Sequence, residues 1–535
     1  MGNGHGIIHS TKYFMLLALG LLVSSAATAR AATEVTITDG TLQGKTIAGT
    51  NIRAFLGIPF AAPPVGKLRW RPPQPVHPWQ GVRKAVAFGP RCMQRRIYSD
   101  MVFRDSGPSE DCLYLNVWTP AQSGSERLPV MFWIYGGGFQ AGATSEPRQE
   151  GMNLAKKGVV VVSCNYRLGI FGFFAYPGLT KESPYHASGN YGLMDQIAAL
   201  RWVQQNISTF GGDPNNVTIF GESAGSWSVS ELMASPLAQG LFQKAIGESG
   251  ASFGAGPQLI SARSLAQSEK AGEKFAQSIG ADSLPALRAI PANKLLQESA
   301  KARFWPNVDG YVLPQPVNTI FAEGHQSHVP LLAGWNKDEN MGNVYSKKSP
   351  PTEENLIKAI KKRFGPEANE ALKFYPHATA AEARQSTEKL ASDFFTVYVT
   401  WKWLEMANKT GDSPVYRYLF TRTPPEPPDT MSGNVPLVKL GARHSAEIPY
   451  VFGVLTWKKA PWQPVDFKIS DAMMTYWSNF AKTGNPNGSG LPHWPEYTAP
   501  EWEVMHLGKE IQASPSTDQK RLEFIDSFVA RYRKR

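Results

Sequence analysis

At 535 residues, 42% of them apolar and 15 of them Trp, the chain is long enough to bury a sizeable core. Its formal charge of +11 is dispersed into small clusters such as Arg95-Arg96, Lys361-Lys362-Arg363 and Arg531-Tyr-Arg-Lys-Arg535, and no nucleic-acid motif accompanies them. A solvated basic surface is therefore expected and no nucleic-acid partner; the lack of repeats, heptads and low-complexity blocks excludes solenoid and fibrous classes.

The N-terminus is read separately. Lys12 precedes the apolar run Tyr13 to Val23, and small residues follow through Ala27, Ala29 and Ala31. This predicts a secretory signal peptide over residues 1–31, cleaved after Ala29 or Ala31. The run is too short to span a membrane, and no later stretch offers a span. Processing removes Lys12 and Arg30, leaving 53 − 44 = +9. Residues 32–535 are expected to form a single domain, exported to the periplasm or beyond the cell. In that oxidising setting Cys92–Cys112 is the expected bridge and Cys164, inside the apolar run Val159 to Asn165, a buried thiol. Spacing alone leaves the connectivity open.

Beyond the leader, Val35 to Thr38 and Gly40 to Gly44 predict a small antiparallel hairpin. Prolines in Phe55-Leu-Gly-Ile-Pro-Phe-Ala-Ala-Pro-Pro-Val-Gly66 force extended backbone. Glu110 to Trp118 reads as an alternating strand. Leu128 to Tyr135 is a continuous apolar strand that runs into Gly136-Gly137-Gly138-Phe139. Three glycines there leave no Cβ to block a ligand oxygen, so the turn is either an oxyanion hole built from N–H groups or a flexible loop. Gly158 to Ser163 is the next buried strand. Leu193, Ile197, Leu200, Val203 and Ile207 then mark one face of an amphipathic helix, which Gly211-Gly212 ends.

Val217-Thr-Ile-Phe220 is a buried strand followed at once by Gly221-Glu222-Ser223-Ala224-Gly225 and helix-compatible sequence. G-x-S-x-G recurs by chance as a glycine-rich turn. Between a strand and a helix it predicts a strained, exposed serine whose flanking glycines avoid strand and helix. The strand, helix, strand order argues a parallel sheet, and hence an α/β-hydrolase fold with large insertions. Val329 to Ala333 is a later strand ending in Gly334-Trp-Asn-Lys-Asp-Glu339. Helices fill 353–408, Val415 to Phe420 is another strand, and a closing helix runs from Phe524 to Tyr532.

A serine hydroxyl needs a base to take its proton, and the imidazole needs a carboxylate to orient it. Ser223, then a carboxylate after the 329–333 strand, then a loop histidine near 444 fit the chain order nucleophile, acid, base. Periodicity does not choose between Asp338 and Glu339, nor among the ten histidines.

The chain resembles the type-B carboxylesterases, the family of cholinesterases, microbial p-nitrobenzyl esterases and the non-catalytic neuroligins, as a secreted member of bacterial type. The motifs are Phe55-Leu-Gly-Ile-Pro-Phe-Ala61, Glu110-Asp-Cys-Leu-Tyr-Leu-Asn-Val-Trp118, Tyr135-Gly-Gly-Gly-Phe139, Asn165-Tyr-Arg-Leu-Gly169, Gly211 through Gly225, and Tyr476-Trp-Ser-Asn-Phe-Ala-Lys-Thr-Gly-Asn-Pro-Asn487. They cover nearly the whole mature chain. The resemblance implies Ser223 as nucleophile, Glu339 as acid and His444 as base, with Gly137, Gly138 and Ala224 as oxyanion donors. It places Glu222 and Ser249 behind them, matches Cys92–Cys112 to the family's first disulfide, and implies an ester substrate with no metal or organic cofactor.

Three residues depart from the family pattern. Asn340 follows the acid where glycine is usual, Glu248 replaces a glutamine and adds a potential negative charge, and Trp227 adds bulk beyond the nucleophile. The expected activity is serine carboxylic-ester hydrolysis on small to medium organic esters. Alternatives are a lipase, a peptidase, or an esterase for anionic acyl groups with polycarboxylate esters as its sharpest form. That last idea rests on Arg303 beside Phe304-Trp305-Pro306, in a segment similar to the family's acyl pocket. A neuroligin-like adhesion module is disfavoured by the presence of Ser223. A choline ester is not expected, because the Cys92–Cys112 loop contains Tyr98 and Phe103 but no Trp to hold a quaternary ammonium.

Overall fold

The computed structural model describes residues 1–2, 33–254, 262–340, 350–427, 430–432 and 435–533. The expected signal segment lies, but for its first two residues, outside the described residues.

An eleven-stranded sheet carries the molecule. In chain order its strands are β1 Lys45–Thr46, β2 Arg53–Pro59, β3 Tyr114–Thr119, β4 Leu128–Ile134, β5 Val160–Cys164, β6 Gly212–Glu222, β7 Lys244–Glu248, β8 Leu331–Asn336, β9 Val415–Phe420, β10 Glu503–Leu507 and β11 Ile511–Pro515. They lie side by side as β11-β10-β9-β8-β7-β6-β4-β5-β3-β2-β1. The seven strands from β5 to β10 across the middle are all parallel, and the outer ones pair antiparallel. The N-terminal hairpin forms apart from this sheet, pairing Glu34–Ile37 with Gly40–Gln43.

A sheet covered on both faces buries both sets of side chains, in its parallel middle and in the antiparallel strand beside it alike, which explains two departures from the expected patterns. β3 is buried at nearly every position and does not alternate. The helix after Asn190, α1 Tyr191–Asn206, buries Met194, Gln196, Ala199 and Trp202 as well as the predicted face, so it is enclosed and not amphipathic. A 3-10 turn, Ile207–Phe210, extends it, and Gly211 closes the turn at φ 81°. The last helix begins earlier than the apolar pattern indicates, at Gln519.

From β4 the chain goes to β5 on one side and then crosses to β6 on the other. Strand order reverses there, and in open α/β sheets the crevice at the carboxyl ends of such strands is the place for a ligand. The register sets Gly221 beside Ile134, so the glycine turn after β4 and the serine turn after β6 meet at that crevice.

Cys92 and Cys112 are bonded with Cα atoms 4.9 Å apart, and Cys164 is a free, buried thiol in β5. Burial pushes that thiol's pKa upward, which leaves it inert. No helix among the described residues is long and apolar enough to cross a membrane.

Candidate active site

Ser223 stands between β6 and α2 Ala224–Ala234 with φ 55° and ψ −120°, a strained conformation for a residue with a Cβ. Its N–H donates to the Glu248 carbonyl at 2.8 Å, and its own carbonyl accepts from the Trp227 N–H at 2.9 Å. The neighbouring glycines are steric requirements. A Cβ on Gly225 would lie 2.0 Å from the Ile134 carbonyl, and one on Gly221 would strike Gly225 and Ile134 at 2.6 Å. The turn can therefore sit close against β4 only with glycine on both sides.

Ser223 Oγ lies 2.9 Å from His444 Nε2, and His444 Nδ1 lies 2.5 Å from Glu339 Oε2. Since a carboxylate only accepts, the imidazole carries its proton on Nδ1 and leaves Nε2 to receive the serine proton. Glu339 is held in turn by the Asn336 N–H, which donates to Oε1 at 2.7 Å. Phe395 packs edge-on to the imidazole at 4.9 Å between ring centroids. The two loops that carry acid and base are tied together: the Asp338 N–H donates to the Ala442 carbonyl at 3.0 Å, and Ala442 returns a bond to Asp338 Oδ2 at 2.8 Å. Arg443, next to the histidine, bonds buried Glu426 at 2.7 Å, and Lys458 holds both oxygens of that carboxylate at 2.8 Å.

Gly137 and Gly138 have φ 116° and 62° and line the same pocket as Ser223, Ala224 and His444. Among the described residues no protein acceptor engages the N–H groups of Gly137, Gly138 or Ala224. Three free donors at a helix start and a glycine turn suit a developing oxyanion. The pocket has a volume of about 290 Å³. Trp227 and Trp305 form one wall with ring centroids 5.6 Å apart, Phe139 backs Trp305 at 6.1 Å, and Tyr98, Met101, Arg148 and Arg303 complete it.

Glu222 is buried behind the imidazole, with Oε1 3.3 Å from His444 Nε2. Burial lowers the imidazole pKa, but the Glu222 and Glu339 carboxylates outweigh it and push it up to about 9. Glu222 itself is raised by burial to about 7, so the two groups titrate as a pair. The base form of His444 is the active one, so kcat/KM falls as pH drops through its folded pKa. Glu222→Gln removes the largest upward influence and is expected to move this acid limb of the profile to lower pH by about one unit or more. An unmoved limb would exclude Glu222 from the electrostatics of the base.

The structure gives the surroundings of three further residues singled out in the sequence. Glu248 is fully buried and accepts from Trp477 Nε1 at 2.8 Å, and burial and Glu447 push its pKa well up, which disfavours its charged form. Ser249 lies under the site with φ 58°; among the described residues its Oγ has no hydrogen-bond partner, while its backbone N–H donates to the Gly334 carbonyl at 2.8 Å and braces the neighbouring strand. Asn340 Nδ2 donates to the Ala391 carbonyl at 3.4 Å, and Glu339 stays in reach of the histidine. Sequence reasoning overlooked Phe395, which sits in an irregular five-residue π turn, and Glu447, three residues after His444, which accepts from Asn336 Nδ2.

The fold and this constellation define an α/β hydrolase of the serine type. Residues 31–525 match the sequence profile of the Carboxylesterase family, and the chain belongs to that family; it is a carboxylesterase. It is 39% identical to a fumonisin B1 esterase of Sphingopyxis macrogoltabida over 86% of this chain and 84% of that protein. Identity to the para-nitrobenzyl esterase of Bacillus subtilis is 36%, over 89% and 95% of the two chains. Among solved structures, a PNB esterase superposes with a TM-score of 0.77 at 35% identity, covering 92% of this chain and 99% of the other.

Proposed function

We propose that the chain is an exported esterase that cleaves small to medium organic esters through Ser223, His444 and Glu339. The observation that carries this reading is the unbroken run of hydrogen bonds from Glu339 through His444 to Ser223, ending beside three unengaged N–H groups. His444 Nε2 takes the Ser223 proton as Oγ attacks the ester carbonyl. The carbonyl oxygen becomes an oxyanion held by the N–H groups of Gly137, Gly138 and Ala224. The tetrahedral intermediate collapses, the alcohol leaves with the proton from His444, and an acyl group remains on Ser223. Water, deprotonated by the same imidazole, then releases the acid. Glu339 keeps the imidazole in the required tautomer throughout. The N-terminal leader pattern and the Cys92–Cys112 bond favour the periplasm or the cell exterior.

A second reading, preference for carboxylated acyl groups, has one observation in its favour. Arg303 lines the pocket, and among the described residues it has no ion pair, whereas Arg148 there is held by Glu146 at 2.7 Å and Asp100 at 3.2 Å. One cation is thus left to meet a substrate anion. Of the two aromatic residues in the Cys92–Cys112 loop, Phe103 is outside the pocket lining and covered by the Arg91 guanidinium at 4.7 Å, while Tyr98 lines the pocket. An ester panel that varies acyl and alcohol parts separately tests both readings. Neutral short esters are expected to be cleaved, with butyrylcholine no better than an uncharged butyrate ester. Arg303→Ala is expected to lower the ratio of carboxylated to neutral ester turnover about fivefold, as one solvent-accessible charge pair would. An unchanged ratio would remove the second reading and leave the first standing.

A further inference from the structure

The loop closed by Cys92–Cys112 is docked on the glycine turn that follows β4. Gln94 bonds Gly142 in both directions, Nε2 donating to its carbonyl at 2.8 Å and Oε1 accepting from its N–H at 2.9 Å. Arg148 Nη1 reaches Asp100 in the same loop at 3.2 Å. Met101 Cε comes within 3.2 Å of where a Gly137 Cβ would sit. Thus the loop is held against the oxyanion-binding turn from both ends of its pocket-facing segment.

Tyr98 stands in that segment. The residue is 40% exposed and lines the pocket together with Gly137, Gly138, Ser223 and His444. Tyr98 Oη is 3.2 Å from the position of a Gly138 Cβ and is the one heavy atom within 4 Å of it. The space that glycine leaves open next to the N–H donors is therefore filled by a phenolic hydroxyl. Among the described residues that hydroxyl has no hydrogen-bond partner. Gly138 has φ 62°, so the turn presents this face to the pocket without a side chain of its own.

We propose that Tyr98 is a catalytic residue, its Oη–H donating a fourth hydrogen bond to the oxyanion that forms when Ser223 attacks the ester. The phenol keeps its proton in this step, while the Ser223 proton passes to His444 Nε2. The carbonyl π pair moves onto oxygen as the Ser223 Oγ–C bond forms, and the phenol stabilises that charge beside the N–H groups of Gly137, Gly138 and Ala224. Collapse returns the pair to the C–O bond, and the phenol is released unchanged. Burial and the nearby Glu222 and Asp100 charges raise the phenol pKa against the opposing influence of Arg303, which favours the protonated, donating form.

This inference rests on the esterase reading of Ser223. Tyr98→Phe keeps the ring and removes only the donor. On a neutral p-nitrophenyl ester the variant is expected to lose about 10- to 100-fold in kcat with KM little changed, less than the loss of a donor from a two-donor site. Its affinity for a trifluoromethyl ketone, which adds to Ser223 as an oxyanion, is expected to weaken by a similar factor. Full kcat in Tyr98→Phe, a change confined to KM, or unchanged ketone affinity would each overturn the role. Inactivity of wild type towards every ester, by contrast, would strike the esterase reading itself.

Discussion

Ser223→Ala is expected to leave a folded protein whose ester turnover is lower by on the order of 10⁴–10⁶. The variant should fold because the strained backbone is inherited unchanged. Alanine has the same Cβ at φ 55°, and the N–H bond to the Glu248 carbonyl does not involve the side chain. What disappears is Oγ, whose hydrogen-bond partner is His444 Nε2 at 2.9 Å. The oxyanion donors remain, so residual catalysis above the rate in water is expected. Steady-state hydrolysis of a short neutral ester, alongside thermal unfolding of both proteins, checks the two halves of the claim. Near-normal turnover by a folded variant would remove Ser223 from the chemistry.

Local chemistry made parts of this site readable in advance. Val217 to Gly225 encodes a buried strand, a turn that tolerates no side chain next to β4, and a helix start; each depends on residues within a few positions of one another. The glycines at 136–138 are similar, since their need is to avoid a side chain where another segment approaches. Asp338 and Glu339 were not separable this way. Both follow β8, and which one faces the histidine depends on Asn336 and on a loop more than a hundred residues later. Resemblance to a family supplied that choice. Glu248 shows a different gap: its residue type suggests charge, while its burial beside Trp477 and Glu447 raises its pKa and disfavours the charged form. Tyr98 and Phe395 are still less accessible to pattern reading. One lies in an irregular stretch of a disulfide loop, the other in a π turn, and neither position carries a periodicity to interpret.

Glu339→Gln is expected to cost on the order of 10³–10⁴ in kcat/KM, whereas Asp338→Asn is expected to stay within severalfold of wild type. The difference follows from what each carboxylate faces. Glu339 Oε1 receives the Asn336 N–H at 2.7 Å, and Oε2 receives His444 Nδ1 at 2.5 Å. A glutamine has one oxygen for these two donors. The Asn336 donor is backbone and does not move, so the amide oxygen is required there and the NH₂ group is turned towards the imidazole. Nδ1 must then accept, which places the ring proton on Nε2, opposite Ser223, where it prevents general-base catalysis. Asp338 meets a simpler demand. Its Oδ2 accepts the Ala442 N–H at 2.8 Å, and an asparagine oxygen can take the same bond while the backbone link between the two loops is untouched. Burst kinetics with a p-nitrophenyl ester separate acylation from deacylation, and both steps are expected to slow in Glu339→Gln because the same imidazole serves each. If Asp338→Asn were the damaging change and Glu339→Gln the mild one, the acid of this site would be Asp338.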